Sequence, residues 1–263
     1  MKRKEPEESI LQNSLPPKRY KVEESYQEAL PKEEIKIIPD SQLIAENTKS
    51  MRATVYFKVI KAFNMARAAD LTLMHGKVQT PVYMPVGTKG AMKALTTEDM
   101  ESMDCQIHLV NTYHLDVRPG PAKLQEYGGV HKFMGWKHNL LTDSGGFQMV
   151  SLNDLMSIQE KGVTFKSVVD GSIIELAPED SIHVQNQIGA DIMMALDDVV
   201  HVLVKGPRVE DACKRTTRWL DRCIAAHKRP EEQALFGIVQ GGLDKKLRDY
   251  SLDGKCISKY RTH

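Results

Sequence analysis

Asp143, Asp197 and Gln240 each stand where an apolar run gives way to polar groups. "NLL" runs into Thr142-Asp143-Ser144-Gly145-Gly146. "IMMAL" runs into Asp197-Asp198, "FGIV" into Gln240-Gly241-Gly242, and "IHLV" into Asn111-Thr112. Together these endings offer carboxylates, an amide and backbone freed by two glycine pairs. The set suits a planar heterocycle. A carboxylate can accept two parallel hydrogen bonds from a guanine-like ring N–H and exocyclic amine. Gln240 and a glycine N–H can donate to a carbonyl oxygen, and Phe147 can stack on a ring. Plain core packing is the other reading of Phe147. "DSGGF" does not match a GxSxG nucleophile elbow, so Ser144 reads as a hydrogen-bonding group. Metal ligation by Asp143 and Asp197 is chemically open, but no His stands beside them at a ligand spacing. There is no P-loop and no GxGxxG.

The elements that must position these groups alternate. "MARAADLTLMHGKVQTPVYMPVG" predicts a hairpin with a glycine turn. "TTEDMESM" predicts a helix start capped by Thr96 or Thr97. "QIHLV", "DIMMAL" and "ALFGIV" predict buried strands. "LAPEDSIHVQNQIG" predicts a helix that opens at Pro178 and stops at Gly189. "VEDACKRTTRWLDRCIAAHKRP" predicts an amphipathic helix with Cys213, Thr216, Leu220, Cys223 and Ile224 on one face. Strands alternating with helices predict a parallel α/β sheet with both faces covered, whose ligands bind at the strands' C-terminal ends.

The chain of 263 residues has 41% apolar content, enough for a sizeable core, and a net charge of +1 that gives no global footprint for nucleic acid. No apolar run is long enough to span a bilayer. The four cysteines, Cys105, Cys213, Cys223 and Cys256, form no CxxC pair and read as reduced cytosolic thiols. Residues 1–50 are rich in Lys, Glu and Pro and predict a disordered tail. "KRK" with "PPKRYK" carries a weak nuclear address, outweighed by a solvated charged linker. The expected location is the cytoplasm, with association with mitochondria as a further expectation.

"PVYMPVGTKGAMKAL", "NTYHLDVRPGP", "FMGWKHNLLTDSGGFQMVSL", "GVTFKSVVDGS", "IMMALDDVV" and "LFGIVQGGLDKKLR" resemble the tRNA-guanine transglycosylase family, and within it the eukaryotic, queuine-using catalytic type. The resemblance implies a TIM (β/α)8 barrel. It implies exchange of guanine for queuine at the wobble position of tRNAs with GUN anticodons, through a covalent intermediate on a carboxylate. By resemblance Asp143 is the general acid/base, and Ser144, Gly145, Gly146 and Phe147 line the base site. Asp197 reads the donor edge of the base, and Gln240 and Gly241 bind its carbonyl. Val199 stands where bacterial members carry Cys. The resemblance also implies a zinc ion and a heterodimer with a non-catalytic homologous subunit.

The chain departs from the family pattern after "KKLR". Neither a "DxVxPTR"-like strand bearing the nucleophile nor a CxCxxC…His zinc motif follows. The expected organisation is a tail at 1–50, the N-terminal part of the barrel at 51–248 with about five of its eight strands, and a divergent tail at 249–263. The short chain is therefore expected to be inactive alone. The alternatives are a non-enzymatic fragment or isoform that binds the partner subunit, and an unrelated barrel enzyme acting on heterocycles.

Overall fold

The computed structural model describes residues 54–146, 157–167 and 171–253. The segment expected to be an N-terminal tail, Phe147 and residues 254–263 lie outside them. The first described element is an antiparallel sheet of β1 (Tyr56–Phe63), β2 (Ala66–Leu73) and β3 (Gly76–Thr80). The predicted hairpin is β2–β3, with Gly76 at a φ of 121° closing the turn. Its partner β1 was not foreseen, because "YFKVIKAF" is largely exposed and shows little alternation.

A capping box opens α1 (Thr97–Ser102). The Asp99 N–H donates to Thr96 Oγ1 at 3.1 Å, and the Thr96 N–H donates to Asp99 Oδ2 at 2.9 Å. After β4 (Ile107–Val110) come three short helices, α2 (Thr112–Val117), α3 (Pro121–Glu126) and α4 (Val130–Met134). Gly120, Gly129 and Gly135 punctuate them, which leaves no helical periodicity long enough to read. β5 (Asn139–Thr142) is buried throughout. A second small antiparallel sheet follows, β6 (Ser157–Ile158), β7 (Val163–Lys166) and β8 (Ile173–Leu176), also unforeseen. Next are α5 (Pro178–Ile188), β9 (Ile192–Met194), α6 (Pro207–Ala226), β10 (Ala234–Phe236) and α7 (Lys245–Asp253). Pro178 occupies the first turn of α5, and Gly189 ends it in the left-handed region at a φ of 82°.

β4, β5, β9 and β10 pair in that order, all parallel. Ahead of β4, Pro85 and Gly87 bracket one more parallel bridge: the Leu109 N–H donates to Pro85 O at 2.8 Å and the Gly87 N–H to Leu109 O at 2.7 Å. Each strand thus lies beside its predecessor in the chain. That progression is how a (β/α) barrel grows, whereas a doubly wound sheet reverses at a switch point. The fold is mixed α/β around a parallel sheet, and among the described residues the sheet does not close.

Alternation sorts the strand residues onto two faces. Ile107, Leu141 and Ile192, with Leu109, Met194 and Phe236, pack against Leu73 and Val78 of the hairpin. Val110 and Leu140 turn outward onto Leu115, Leu124, Val130 and Trp136. Met193, Leu196 and Leu235 turn outward onto Ile182, Trp219, Leu220 and Phe165. Fully buried side chains of this kind stabilise by about 1.5–3 kcal/mol each before ordering costs. On α6 the predicted stripe holds apart from Ile224, which is half-buried: Cys213, Thr216, Leu220 and Cys223 are buried, joined by Val209, Ala212 and Trp219.

The boundary expected at residue 248 falls inside α7. Ser251 is buried there, and its hydroxyl accepts from the Gln240 N–H at 3.1 Å. The Cys213 thiol of α6 donates to Leu247 O at 3.4 Å. Only a narrow face of α7 is covered, so its sequence reads as polar although it forms part of the packed structure.

Candidate functional site

The C-terminal ends of the parallel strands are held in register by one buried amide. Gln185 of α5 accepts from Thr142 Oγ1 at 2.9 Å and from the Met194 N–H at 3.1 Å, and donates to Met194 O at 3.0 Å. It thereby fixes the ends of β5 and β9 beside each other, directly below Asp143 and Asp197.

Asp143 is half-buried at the end of β5. Asn111 Nδ2 donates to its Oδ2 at 2.6 Å, and the Thr112 N–H donates to its Oδ1 at 2.8 Å. The Thr112 hydroxyl donates to the Asp143 backbone carbonyl. Asn111 and Thr112 were foreseen as a polar strand ending but not as the groups that aim Asp143. The Ser144 hydroxyl accepts from the Gly146 N–H at 3.2 Å, and its carbonyl accepts from Ser181 Oγ at 2.8 Å. Ser144 therefore shapes the turn. Gly145 has a φ of 79°, a region that glycine enters without strain. A Cβ on Gly146 would lie 3.0 Å from Leu196 Cδ1 and 3.7 Å from Asp197 O, so this turn abuts the loop that carries Asp197.

Asp197 and Gln240 meet directly: Gln240 Nε2 donates to Asp197 Oδ2 at 2.6 Å. Asp197 is only 6% exposed. Burial pushes its carboxyl up to about 6, against the lowering effect of the Gln240 amide and with the Asp198 charge adding to the rise. Its neighbour Asp198 is fully buried and turned away. It accepts from Arg208 Nη1 at 2.9 Å and also from Arg215 Nη1, while its own N–H donates to Thr216 Oγ1 at 3.0 Å. Gly241, at a φ of 124°, has no room for a side chain, since a Cβ would stand 2.7 Å from the Arg248 N and 2.8 Å from the Leu247 C. Phe147 lies outside the described residues. The turn after β5, Asp197, Gln240 and Gly241 are thus gathered along one edge of the sheet.

The arrangement can do three things. It presents a buried carboxylate whose partner is an exchangeable amide N–H. It adds backbone at two glycine pairs. It holds a second carboxylate, Asp143, in one orientation through two donors. That set can bind a planar base by its hydrogen-bonding edge and move a proton near it.

A matching model describes Queuine tRNA-ribosyltransferase and spans residues 62–259. The chain belongs to this family. The match runs past residue 248, where the sequence resemblance was expected to stop. Among curated relatives, the queuine tRNA-ribosyltransferase catalytic subunit of Schizosaccharomyces pombe is 55% identical over 195 residues, covering 73% of this chain and 48% of the relative. The catalytic subunit of Caenorhabditis elegans is 52% identical over 192 residues, covering 73% and 48%. The queuine tRNA-ribosyltransferase of Acetivibrio thermocellus is 49% identical over 186 residues, covering 71% and 50%. The chain spans about half the length of the curated relatives it matches. Fold and family agree, since the family's barrel grows by the strand progression seen here.

A second cluster of titratable groups lies at the opposite end of the sheet, and sequence reasoning missed it. Asp191 immediately precedes β9 and is buried. It accepts from the Leu140 N–H at 2.8 Å and pairs with His131 Nε2 at 3.0 Å and His75 Nδ1 at 2.7 Å. The two imidazoles stack at 3.7 Å. Burial pushes the Asp191 carboxyl up, but His131, His75 and the Leu140 N–H outweigh it and hold the carboxyl below its ordinary value. The three side chains bring ligand atoms within 4.8 Å of one another, but their N···O separations are hydrogen-bond lengths. The cluster fastens the β2–β3 turn and α4 to the base of the sheet.

The described cysteines do not fit a thiolate zinc centre. Cys105, Cys213 and Cys223 each donate to a different backbone carbonyl, and burial pushes the Cys223 thiol up to about 12. Among the described residues no helix is long and apolar enough to cross a membrane.

Proposed function

We propose that the chain carries the base-recognition part of a queuine tRNA-ribosyltransferase, which exchanges guanine for queuine at the wobble position of GUN-anticodon tRNAs. The observation that carries this reading is the Asp197–Gln240 pair, bonded at 2.6 Å across the ends of two neighbouring strands. Asp197 accepts the ring N–H and exocyclic amine of the base. Gln240 and the Gly241 N–H donate to its carbonyl oxygen. Ser144, Gly145 and Gly146 let the flipped nucleotide approach the backbone. Phe147 is proposed as one face of the stack.

Asp143 is the proton carrier. A departing guanine must gain a proton and an incoming base must lose one, and a fixed carboxylate at the site edge can serve both. Asn111 and Thr112 hold it for that task. No "DxVxPTR"-like motif, in which the resemblance places the nucleophile, occurs in this sequence. In this reading the chain binds the base, and exchange belongs to a form that supplies that strand. A closed (β/α)8 barrel and a homologous non-catalytic subunit as partner belong to the same proposal. Zinc has no place among the described cysteines, whose thiols are each bonded to a different backbone carbonyl.

Equilibrium dialysis with radiolabelled guanine tests the reading. Guanine should be retained and be displaced by queuine but not by adenine, whose edge presents no matching pair of donors. Retention of adenine as well as guanine would contradict it.

A further inference from the structure

Asp198 has no place in the contacts assigned to the base, yet it is among the most tightly held side chains near the site. Its side chain is fully buried, and two guanidiniums reach it from α6: Arg208, half-exposed, and Arg215, only 19% exposed. Arg208 donates through both Nη atoms to both carboxylate oxygens. Arg215 also reaches Glu160 beside β6, with Nε 3.6 Å from its carboxylate. The Asp198 N–H is fixed by Thr216 Oγ1, one residue on from Arg215. So α6 grips both the backbone and the charge of the residue next to Asp197.

Two adjacent buried carboxylates repel each other unless something offsets one of them. The groups facing Asp197 leave few candidates. Gln240, in the loop after β10, is neutral. Cys223 from α6 is a thiol held protonated by burial. The turn after β5 brings Gly146, with Asp143 three residues before it. Asp198 comes from the same loop. The cations in the immediate network are Arg208 and Arg215, and both act on Asp198, not on Asp197.

We propose that Arg215 and Arg208 are positioning residues for base specificity: by pairing with Asp198 they let Asp197 face the base as a carboxylate and fix the loop that aims it. This rests on the base-recognition reading above. Loss of either guanidinium would leave the Asp198 charge only partly offset beside Asp197. Asp197 would then hold its proton at higher pH, and a protonated carboxyl cannot accept both donors of a guanine edge. The effect is remote, since neither arginine touches the base.

The test uses the full chain and two readouts. The first is the Asp197 carboxyl titration followed by carbon NMR without ligand. The second is guanine binding by calorimetry from pH 5 to pH 8. Arg215→Gln should raise the Asp197 midpoint by about one pH unit and weaken guanine binding about tenfold near that midpoint. Asp198→Asn in the Arg215→Gln background removes that partly offset charge and should return both midpoints toward the parent value. A purely structural role for Arg215 would not be rescued in that way. Should Arg215→Gln unfold, Arg208→Gln and its Asp198→Asn double variant carry the same comparison. An unchanged Asp197 midpoint in folded Arg215→Gln or Arg208→Gln overturns the proposal. So does failure of Asp198→Asn to restore it. If the titration moves as expected but the parent chain binds no guanine, the charge coupling stands and the base-recognition reading fails.

Discussion

At the residue scale the proposed site turns on where Asp197 keeps its proton. Asp197 is buried enough that its carboxyl sits at about 6, so the form that accepts two N–H donors dominates only above that pH. Guanine affinity should therefore be constant above about pH 7 and fall below pH 6, approaching tenfold per pH unit for one coupled proton. Calorimetry across that range checks it, and a pH-independent affinity would remove Asp197 from the base edge. The same burial bears on stability with a definite sign. A carboxyl raised in the folded state favours folding when protonated, so ionising Asp197 costs stability as pH rises through about 6. Asp191 has the opposite sign. Its carboxyl is held below the ordinary value, so its stabilisation is present at neutral pH and is lost only as acid protonates it. Asp143, held by Asn111 and Thr112, is in the proposed reading the proton carrier. In an exchange-competent form, Asp143→Asn should lower guanine exchange by roughly two to four orders of magnitude while guanine binding persists. Assays of exchange and binding on one preparation separate the two effects.

At the element scale, the strand ends bring the groups together and the helices lock them. Gly241 shows how closely α7 approaches. Its φ of 124° and the 2.7 Å separation from the Arg248 N leave no space for a methyl group. Gly241→Ala should cost about 1–3 kcal/mol of stability, measured by denaturant unfolding, and should loosen α7 from Gln240. A neutral effect would show that α7 yields easily. Much of this scaffold was legible in the sequence, because helices of eleven and twenty residues carry an apolar stripe and a proline at their start. The parallel strands were legible because both their faces are buried. The three short helices between β4 and β5 were not, since glycines cut them below the length at which periodicity registers. α7 was missed because only Ser251 is buried on it. The Asp191–His131–His75 cluster and the grip of Arg208 and Arg215 on Asp198 join residues from separate elements, and no local pattern announces such contacts. By contrast, Asp143, Asp197 and Gln240 stood out because a carboxylate or amide directly after a buried strand is a costly ending without a partner or ligand.

At the scale of the whole molecule, the parallel sheet is packed at both ends of its strands for different purposes. The base is closed by the β2–β3 hairpin, fastened through Asp191, while the other edge gathers the polar groups. In the proposed reading, stability and recognition are divided between opposite ends of the strands, as in barrel enzymes generally. The groups that read the base in this account lie within the 263 residues, whose sequence contains no "DxVxPTR"-like motif. We therefore expect the chain to bind guanine without moving the radiolabel into a GUN-anticodon tRNA, scored by filter assay. Incorporation above background would mean that another carboxylate serves as nucleophile. The central claim is that guanine docks between Asp197 and Gln240. Its most direct test is titration of guanine into the isotope-labelled chain while the side-chain amide resonances are followed. The Gln240 N–H signals should move on binding, and those of the buried Gln185 and Gln233 should stay in place. Guanine binding that leaves Gln240 unmoved, or no binding at all, would contradict the account.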